Sequence, residues 1–289
     1  FIIGRPGGGV APAIADEELE VRVSAAIRTW DDELTSALRS GPGGPALAAR
    51  YAQAFSAGYM ESFGAARALG DIARIERLSL EQPLAIEIYR DADSGVGEAR
   101  AAIYRLDGPM PLSERVPVFE NLGFRVIDER TFSIAAEGAG GRREVALHEM
   151  RLLTFDGKPL SLSRDDKRFE ACFLAVARGE AENDSFNRLV MSAAADWREA
   201  AVLRSYAAYL RQIRSPFGPR YIADTLDRHP NRTRGLLDLF RTRFDHTLGL
   251  DPDERSARQN ALRERFEAAL TDVQSLDEDR ILRQMLNVI

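Results

Sequence analysis

The sequence lacks the features that most simply mark a secreted, membrane or nucleic-acid-binding protein. Cys172 is the one cysteine in 289 residues, which excludes an internal disulfide framework and a thiolate metal cluster and fits a reducing cytoplasm. No apolar run approaches the roughly 20 residues that a membrane helix needs. The formal net charge is −6, which argues against a nucleic-acid surface, because such surfaces depend on clustered Lys and Arg.

The composition is otherwise that of an ordinary globular chain. Hydrophobic residues make up 45% and charged residues 29% of the sequence, and its length is sufficient for two compact domains. The chain opens on Phe1 without a methionine or a signal pattern and closes on Ile289 without a stop signal. We therefore expect both ends to be cut from a longer protein. Residues 1–15 are predicted to be the end of a preceding domain and a Gly/Pro-rich linker.

The clearest local pattern lies within residues 111–134, where a helix start, a helix stop and a strand follow one another. Ser113 is the predicted N-cap of this helix, and Pro117 limits how early the helix can begin. Gly123 is predicted to end it in the left-handed conformation that glycine adopts at low cost. From Phe124 the hydrophobic period changes to two, which predicts a strand.

Four strands are predicted around this helix, with Gly-rich polar loops inside each pair. They are 84–89, 101–106, 124–135 and 145–155. The order ββαββ predicts a four-stranded, mostly antiparallel sheet with the helix on one face. The other face is left for helices predicted at 46–78 or for another copy of the sheet. Asp128 and Arg130 interrupt the apolar face of the third strand, where they are expected to pair across the sheet or to be turned outward by a bulge.

Helical periodicity fills the rest of the chain. Before the sheet, helices are predicted at 16–38, with Asp16 as N-cap, and at 46–60 and 65–78. After the sheet they are predicted at 164–177, 183–194, 196–213, 219–228, 232–243, 252–273 and 276–289. The fold class is therefore α+β, with an antiparallel ββαββ unit, flanking helices and an all-helical domain. The predicted domains are a helical segment (16–79), the ββαββ unit (80–157) and the all-helical domain (158–289).

Two of these helices carry apolar stripes that predict their packing. The helix predicted at 196–213 carries a stripe that is predicted to be core, formed by Trp197, Ala201, Leu203, Tyr206, Leu210 and Ile213. The stripe of the C-terminal helix is Ile281, Leu282, Met285, Leu286 and Ile289. Ser275 is the predicted N-cap of the C-terminal helix. Because its stripe has no glycine or basic C-cap after it, we expect this helix to be the joint to a following domain. In this chain the stripe is expected to fold back on the helical domain, to pair with another copy or to stay exposed. Deleting 281–289 is expected to leave the fold intact but to reduce self-association or, in a full-length enzyme, to uncouple regulation from turnover.

The glycine-rich motifs do not have the context of a nucleotide site. Gly41 to Ala46 fits the pattern G-x-G-x-x-A, but a helix is predicted before it where a dinucleotide fold requires a strand. Its two prolines also remove amide donors that a pyrophosphate would need. The run Gly7 to Gly9 precedes a strongly acidic helix start, which would repel a phosphate. We interpret the first motif as a loop and the second as the approach to an N-cap.

The histidines and the cysteine also favour structural roles. His148-Glu149 begins like the zinc motif H-E-x-x-H, but a leucine stands where the second histidine is required and the segment predicts a strand. His229 and His246 are predicted to be surface or helix-end residues, and Cys172 a small buried hydrophobe. No catalytic, cofactor-binding or metal residue is predicted in this chain.

Several stretches of the chain closely resemble the large bacterial NAD-specific glutamate dehydrogenases. They are PLSERVPVFENLGFRVIDE, DWREAAVLRSYAAYLRQI, SLDEDRILRQMLNVI, YAQAFSAGYMESFGAARALGDIARIERL and LLDLFRTRFD. The similarity is collinear and covers nearly the whole chain. In that family, the region ahead of the catalytic domain holds ACT-like units of strands and helices followed by a helical region. The resemblance implies that this chain is the last ACT-like unit and the helical region leading into the catalytic domain.

The resemblance implies a regulatory and assembly role rather than a catalytic one. A full-length family member would oxidatively deaminate L-glutamate to 2-oxoglutarate and ammonia with NAD, using a catalytic lysine and an NAD-binding fingerprint that lie beyond this chain. The implied partners are the downstream catalytic domain, upstream ACT-like units, further copies in a homo-oligomer and an amino-acid effector, with no nucleic acid and no membrane. Two other hypotheses remain: a free-standing amino-acid sensor, and a purely structural scaffold between subunits.

Overall fold

A computed structural model describes residues 15, 18–20, 23, 28–138, 141–160 and 167–289. The predicted strand tail and linker at the N-terminus, the Asp16 cap and the Gly7 to Gly9 run lie outside these residues. The described chain forms two compact units. One contains residues up to Arg77 together with 132–144, which is the far end of a β-hairpin, and the other contains 78–131 and 145–289. The predicted domain boundaries stay predictions.

In the first unit, short helices replace two of the longer predicted ones. Helices α1 to α4 are Trp30–Ser40, Gly44–Tyr51, Ala57–Ser62 and Ala65–Ile75. The single helix predicted over 16–38 is wrong, because Arg28 and Thr29 are not helical and Thr29 caps a new helix. The Thr29 hydroxyl accepts from the Asp32 amide, and the Asp32 carboxylate accepts from the Thr29 amide, which is a capping box. The helix predicted over 46–60 is also wrong, since Ser56 caps a new helix and the chain continues as α3.

Aromatic residues hold the first unit together. Trp30 packs edge-on against Phe55 and Tyr59, with ring centroids 5.3 and 6.1 Å apart. Tyr59 and Phe63 each meet Phe132 from the hairpin in the same geometry. The indole N–H of Trp30 donates to the carbonyl of Phe63 over 2.7 Å, so this large side chain is satisfied as well as packed. The cluster ties the helices to the far end of the hairpin.

The second unit contains most of the predicted sheet, and the ββαββ order is confirmed. The strands are β1 (Leu84–Tyr89), β2 (Glu98–Leu106), β3 (Phe124–Gly138) and β4 (Gly141–Thr154). They lie in the order β1-β2-β4-β3, and β2 pairs antiparallel with both β1 and β4. Strand β3 continues past its predicted end at residue 135, and β4 begins before its predicted start at residue 145.

Helix α5 (Leu112–Asn121) connects β2 to β3. Its N-cap is Pro111 and not Ser113, which lies inside the first turn, so the predicted cap is wrong by two residues. Pro111 occupies the extended conformation that a cap requires without offering a side-chain bond. The predicted stop is confirmed, because Gly123 has φ +97° directly after the helix.

One face of the sheet buries a core beneath two helices. Helix α5 contributes Phe119, and helix α6 (Arg168–Ala177) contributes Phe173, whose ring lies 5.2 Å from that of Phe119. The amide of Ile88 in the edge strand β1 donates to the carboxylate of Glu170 on α6 over 3.0 Å. Sequence reasoning grouped α6 with the all-helical domain, but its apolar face packs on the sheet.

The remaining helices surround a second hydrophobic core. They are α7 (Leu189–Ser192), α8 (Trp197–Gln212), α9 (Pro219–Arg228), α10 (Pro230–Phe244), α11 (Pro252–Ala269) and α12 (Leu276–Val288). Short 3-10 turns at 185–188, 246–248 and 270–272 connect them. No helix among the described residues is long and apolar enough to cross a membrane.

The C-terminal helix α12 belongs to this core, so its stripe takes one of the three expected arrangements, and its role as a joint to a following domain stays a prediction. Ser275 caps it as predicted, accepting from the Glu278 amide. All five residues of its stripe are at most 2% exposed and lie in the helical core; they are Ile281, Leu282, Met285, Leu286 and Ile289. The stripe folds back on its own domain because the neighbouring helices supply an apolar surface to cover it.

Candidate functional site

His148 lies in the middle of β4 and is completely buried. Its Nε2 atom accepts a hydrogen bond from the backbone N–H of Met110 over 2.9 Å. Because that amide can only donate, Nε2 must be unprotonated, and the ring proton of the neutral histidine sits on Nδ1. This N–H faces Thr131 Oγ1 at 2.8 Å and Glu129 Oε1 at 3.2 Å. The main chain therefore fixes the tautomer of His148.

The carboxylate of Glu129 is the centre of this polar network. It accepts from Arg115 Nη2 over 2.6 Å and from the Thr131 hydroxyl over 2.5 Å. Burial opposes ionisation of Glu129, but the hydrogen bond from Thr131 and the charge of Arg115 outweigh it and lower the pKa of Glu129. Burial, followed by the nearby Arg115 charge, lowers the pKa of His148. The network is a neutral histidine beside a buried ion pair, with its groups turned toward one another.

The pair His148-Glu149, which begins like a zinc-binding motif, does not have the geometry of a zinc site. As predicted, it lies on a strand, so successive side chains point to opposite faces of the sheet and His148 and Glu149 cannot bind one ion together. Glu149 accepts a hydrogen bond from the hydroxyl of Tyr89 instead. Within the described parts of the chain, no group of three His, Cys, Asp or Glu side chains is placed to hold a metal ion.

The other titratable candidates also occupy structural positions. Cys172 is completely buried beneath the sheet, and burial raises the pKa of its thiol to about 12, so its prediction as a small buried hydrophobe is confirmed. His229 joins α9 to α10, and its Nε2 lies 2.7 Å from Glu278 of α12, which also accepts from Arg228. This partner lies 49 positions away and left no local signal in the sequence. His246 is exposed and opens a 3-10 turn, which agrees with its surface assignment.

The glycine motif at Gly41 to Ala46 is a turn between two helices. As expected, helix α1 precedes it where a dinucleotide fold needs a strand. Gly43 has φ +90°, and α2 begins at Gly44, two residues earlier than predicted. The prolines remove donors at the start of α2.

Asp128 pairs across the sheet with Arg151 of β4, with its Oδ2 2.7 Å from Nη2. Both side chains are more than one-third exposed, so this contact is a surface ion pair of small energetic weight. Cross-sheet pairing, one of the two expected outcomes for Asp128, is confirmed. Arg130 is exposed on the same strand.

A broad apolar groove on the helical region is the candidate functional site. Its volume is about 850 Å³. Helix α8 forms its floor and one wall, and α10 and the end of α12 close the other side. The lining residues are Trp197, Arg198, Ala201, Val202, Ser205, Tyr206, Tyr209, Phe240, Asn287 and Val288. Tyr209 is 48% exposed and the neighbouring Phe244 is 52% exposed, although both are large aromatics. Such a surface is typical of a contact with another polypeptide.

Helix α8 forms the groove because it has two apolar faces. Its core face contains Leu203, Ala207 and Leu210, all buried. Ala201 and Ser205 lie on the opposite face, where the helix period places every third or fourth residue. The predicted stripe was therefore wrong as a description of one core face.

Its six residues divide between these two faces. Leu203 and Leu210 are buried in the helical core, Ala201 lines the groove, and Ile213 is 55% exposed. Tyr206 and Trp197 do both: each lines the groove, and Tyr206 also packs on the helical core and Trp197 on the core beneath the sheet. Two apolar residue sets on opposite sides of one helix were the signal that could have revealed the groove.

Arginines surround the groove at both ends. The Arg198 guanidinium stacks 4.1 Å from the ring centre of Trp197, and Arg241 is 58% exposed beside Phe240. At the other end, Arg243 donates to the carbonyl of the last residue, next to the groove wall. The Arg241 guanidinium lies 3.7 Å from the carboxylate of Glu199, so part of this positive charge is already paired.

Comparison with known proteins places this site in a family context. The family model described as the glutamate dehydrogenase ACT3 domain matches residues 83–164, which contain the sheet. Helical motif 2 of glutamate dehydrogenase matches residues 39–78, and helical motif 3 matches residues 181–246, which contain most of the groove. The chain is 35% identical over 274 residues to the NAD-specific glutamate dehydrogenase of Pseudomonas aeruginosa, a match that covers 94% of this chain. It belongs to the NAD-specific glutamate dehydrogenase family.

Two further relatives show the same relationship. The NAD-specific glutamate dehydrogenase of Halomonas elongata is 36% identical and that of Mycobacterium tuberculosis 31% identical, over 94% and 99% of this chain. The chain spans 17–18% of the length of these family members. The resemblance predicted from the sequence is thereby confirmed, as is the assignment to ACT-like and helical regions.

Proposed function

We propose that this chain is a non-catalytic assembly and regulatory segment of an NAD-dependent glutamate dehydrogenase. The full-length enzyme would convert L-glutamate, NAD⁺ and water into 2-oxoglutarate, ammonium, NADH and a proton. The observation that carries the proposal is the outward groove on α8, because an exposed apolar and aromatic surface fits a polypeptide contact better than a reaction.

The internal chemistry supports the same role. A general base must reach its substrate proton, directly or through one water. His148 is instead completely buried, with one ring nitrogen bound to the main chain and the other directed at Thr131 and Glu129. His229 is engaged with Glu278, and the Cys172 thiol is buried.

The implied partners follow from this role and are part of the proposal. We expect the groove to contact another part of the assembled enzyme, either another domain or another copy. The ACT-like sheet is the proposed receiver of an amino-acid effector. Contacts between subunits would then transmit the effect of that ligand to catalytic domains elsewhere in the enzyme.

The test uses two matched substitutions in the full-length enzyme. Ala201→Glu places a charge in the groove, whereas Ala257→Glu makes the same change at an exposed position of α11, a helix that contributes no lining residue. We expect Ala201→Glu to lower the oligomer size, or the response to effector amino acids, while NAD reduction at saturating glutamate continues. Ala257→Glu should behave as the unmodified enzyme does. Size-exclusion chromatography with light scattering and initial-rate assays measure both properties.

Two results would overturn the proposal. Loss of turnover by Ala201→Glu, with assembly and effector response unchanged, would mean that the groove takes part in the reaction. Identical assembly and regulation in both variants would mean that the groove has neither role. Thermal melting of each variant, followed by circular dichroism, checks that α8 is folded.

A further inference from the structure

Strand β1 stands at one end of the sheet, where its backbone is on the side open to a further strand. The strand order is β1-β2-β4-β3, and β1 pairs antiparallel with β2 on its inner side. In an antiparallel ladder the backbone groups of alternate residues point away from the partner strand. On an edge strand, these outward N–H and C=O groups can bind an extended segment of another chain unless something covers them.

A side chain covers one of the outward amides of β1. The amide of Ile88 donates to Oε1 of Glu170 over 3.0 Å, and Glu170 belongs to α6, which lies beside β1. Because this amide bonds to α6 and not to β2, Ile88 is one of the outward residues, and Ile86, two positions earlier, points the same way. The carboxylate of Glu170 therefore occupies the position in which a carbonyl of an added strand would stand.

The surroundings of Glu170 fit this role better than a packing role. Glu170 is 7% exposed, and a buried carboxylate is costly unless hydrogen bonds and opposite charge compensate for its lost hydration. The Ile88 amide and the ammonium group of Lys167, 3.0 Å from the same oxygen, supply both. Glu170 also lies in the first turn of α6, where the helix dipole favours a negative charge. An apolar residue would avoid the cost of burial but would leave the amide of Ile88 unbonded.

We propose that Glu170 closes the β1 edge of the sheet and so prevents β1 from pairing with β1 of a second copy of this chain. Every copy carries the same edge, so two uncovered edges would pair around a two-fold axis. With the edge closed, copies of the chain must associate through other surfaces. This inference goes beyond the proposed function and does not depend on the groove on α8.

The test uses four substitutions in this chain. Glu170→Ala and Glu170→Leu both remove the acceptor, and leucine also fills the space that alanine leaves empty. Glu170→Gln removes the charge but keeps an oxygen that can accept from the Ile88 amide. Glu120→Ala is the matched control, because Glu120 is an exposed carboxylate near the end of α5. Thermal melting followed by circular dichroism selects the variants that are folded.

Amide hydrogen exchange and sedimentation velocity are then measured on the folded variants. In dilute solution, we expect the Ile88 amide to exchange at least about tenfold faster in Glu170→Ala and Glu170→Leu than in the unmodified chain, because its acceptor is lost. At higher concentration these two variants should self-associate at least about tenfold more tightly than Glu120→Ala. The amides of Ile86 and Ile88 should regain protection as the dimer forms. Glu170→Gln should match the unmodified chain in both measurements.

Four outcomes would overturn the inference. Unchanged exchange of the Ile88 amide in Glu170→Leu would mean that Glu170 does not cover it. Unchanged self-association would mean that the opened edge does not pair. Association without protection of the Ile86 and Ile88 amides would mean that a different surface had been exposed. Equal behaviour of Glu170→Gln and Glu170→Leu would mean that the charge beside Lys167 matters and the bond to the Ile88 amide does not.

Discussion

The C-terminal helix α12 gives the sharpest test of how the helical region is held together. Leu282 is completely buried in the helical core, and its neighbours on the stripe are buried to the same degree. Leu282→Ala would remove three carbon atoms and leave a cavity between helices that cannot close completely. At about 0.8 kcal/mol per buried methylene plus the cavity term, we expect a loss of about 2–5 kcal/mol of unfolding free energy.

The matched control lies two positions away on the same helix. The Arg280 side chain is 60% exposed and its nearest ion-pair distance, to Asp277, is 3.9 Å. Surface pairs of this kind contribute little, so Arg280→Ala should change stability by about 0.5 kcal/mol or less. Both substitutions introduce alanine, a strong helix former, so the comparison separates the effect of burial from that of helix propensity.

The assay is urea unfolding followed by tryptophan fluorescence. The chain has two tryptophans, Trp30 in the first compact unit and Trp197 in the second. In a Trp30→Phe background, Trp197 reports on the unit that contains α12. We expect Leu282→Ala to lower the urea midpoint strongly and Arg280→Ala to leave it nearly unchanged. Equal midpoints would show that α12 is not part of the core, and survival of the fold after deletion of 281–289 would show the same.

Two further predictions concern the sheet. Burial lowers the pKa of His148, so between that value and the ordinary value of about 6.5 the unfolded chain binds a proton that the folded chain does not. Unfolding free energy should therefore fall as pH drops below about 6.5; urea midpoints measure this, and an imidazolium signal from His148 in NMR spectra of the folded chain at pH 6 would contradict it. Gly97→Ala should destabilise the sheet severely, because Gly97 has φ +75° and its new Cβ would lie 2.6 Å from Thr154 Oγ1. The control is Gly141→Ala, whose new Cβ meets no atom within 4 Å. Equal melting temperatures for the two variants would refute this explanation.

The sheet could be predicted from sequence because its signals are local. Period-two hydrophobicity marks each strand, and Gly123 marks the end of α5 within one residue. The same local reasoning placed the N-cap of α5 at Ser113 instead of Pro111, because either residue can precede the first turn of a helix. It also missed the capping box of Thr29 and Asp32, which is a local signal that an uninterrupted apolar stripe had obscured.

Tertiary features could not be predicted in this way. The bond from Met110 to His148 joins residues 38 positions apart, and no spacing in the sequence indicates it. The apolar stripe of α12 has the same pattern whether it covers its own domain or another one, so periodicity alone could not place it. The groove was hidden for a related reason, because Ala201 and Leu203 are both apolar and only packing shows which one faces the core.

The most direct measurement of the central claim is calorimetric titration of the purified chain with NAD, alone and together with L-glutamate. We propose neither cofactor binding nor catalysis for these residues, so we expect no saturable heat and no NADH absorbance after incubation. Self-association should be unchanged by NAD in the same samples. Saturable NAD binding in the micromolar range, or glutamate-dependent formation of NADH, would contradict the assignment of this chain as a non-catalytic segment.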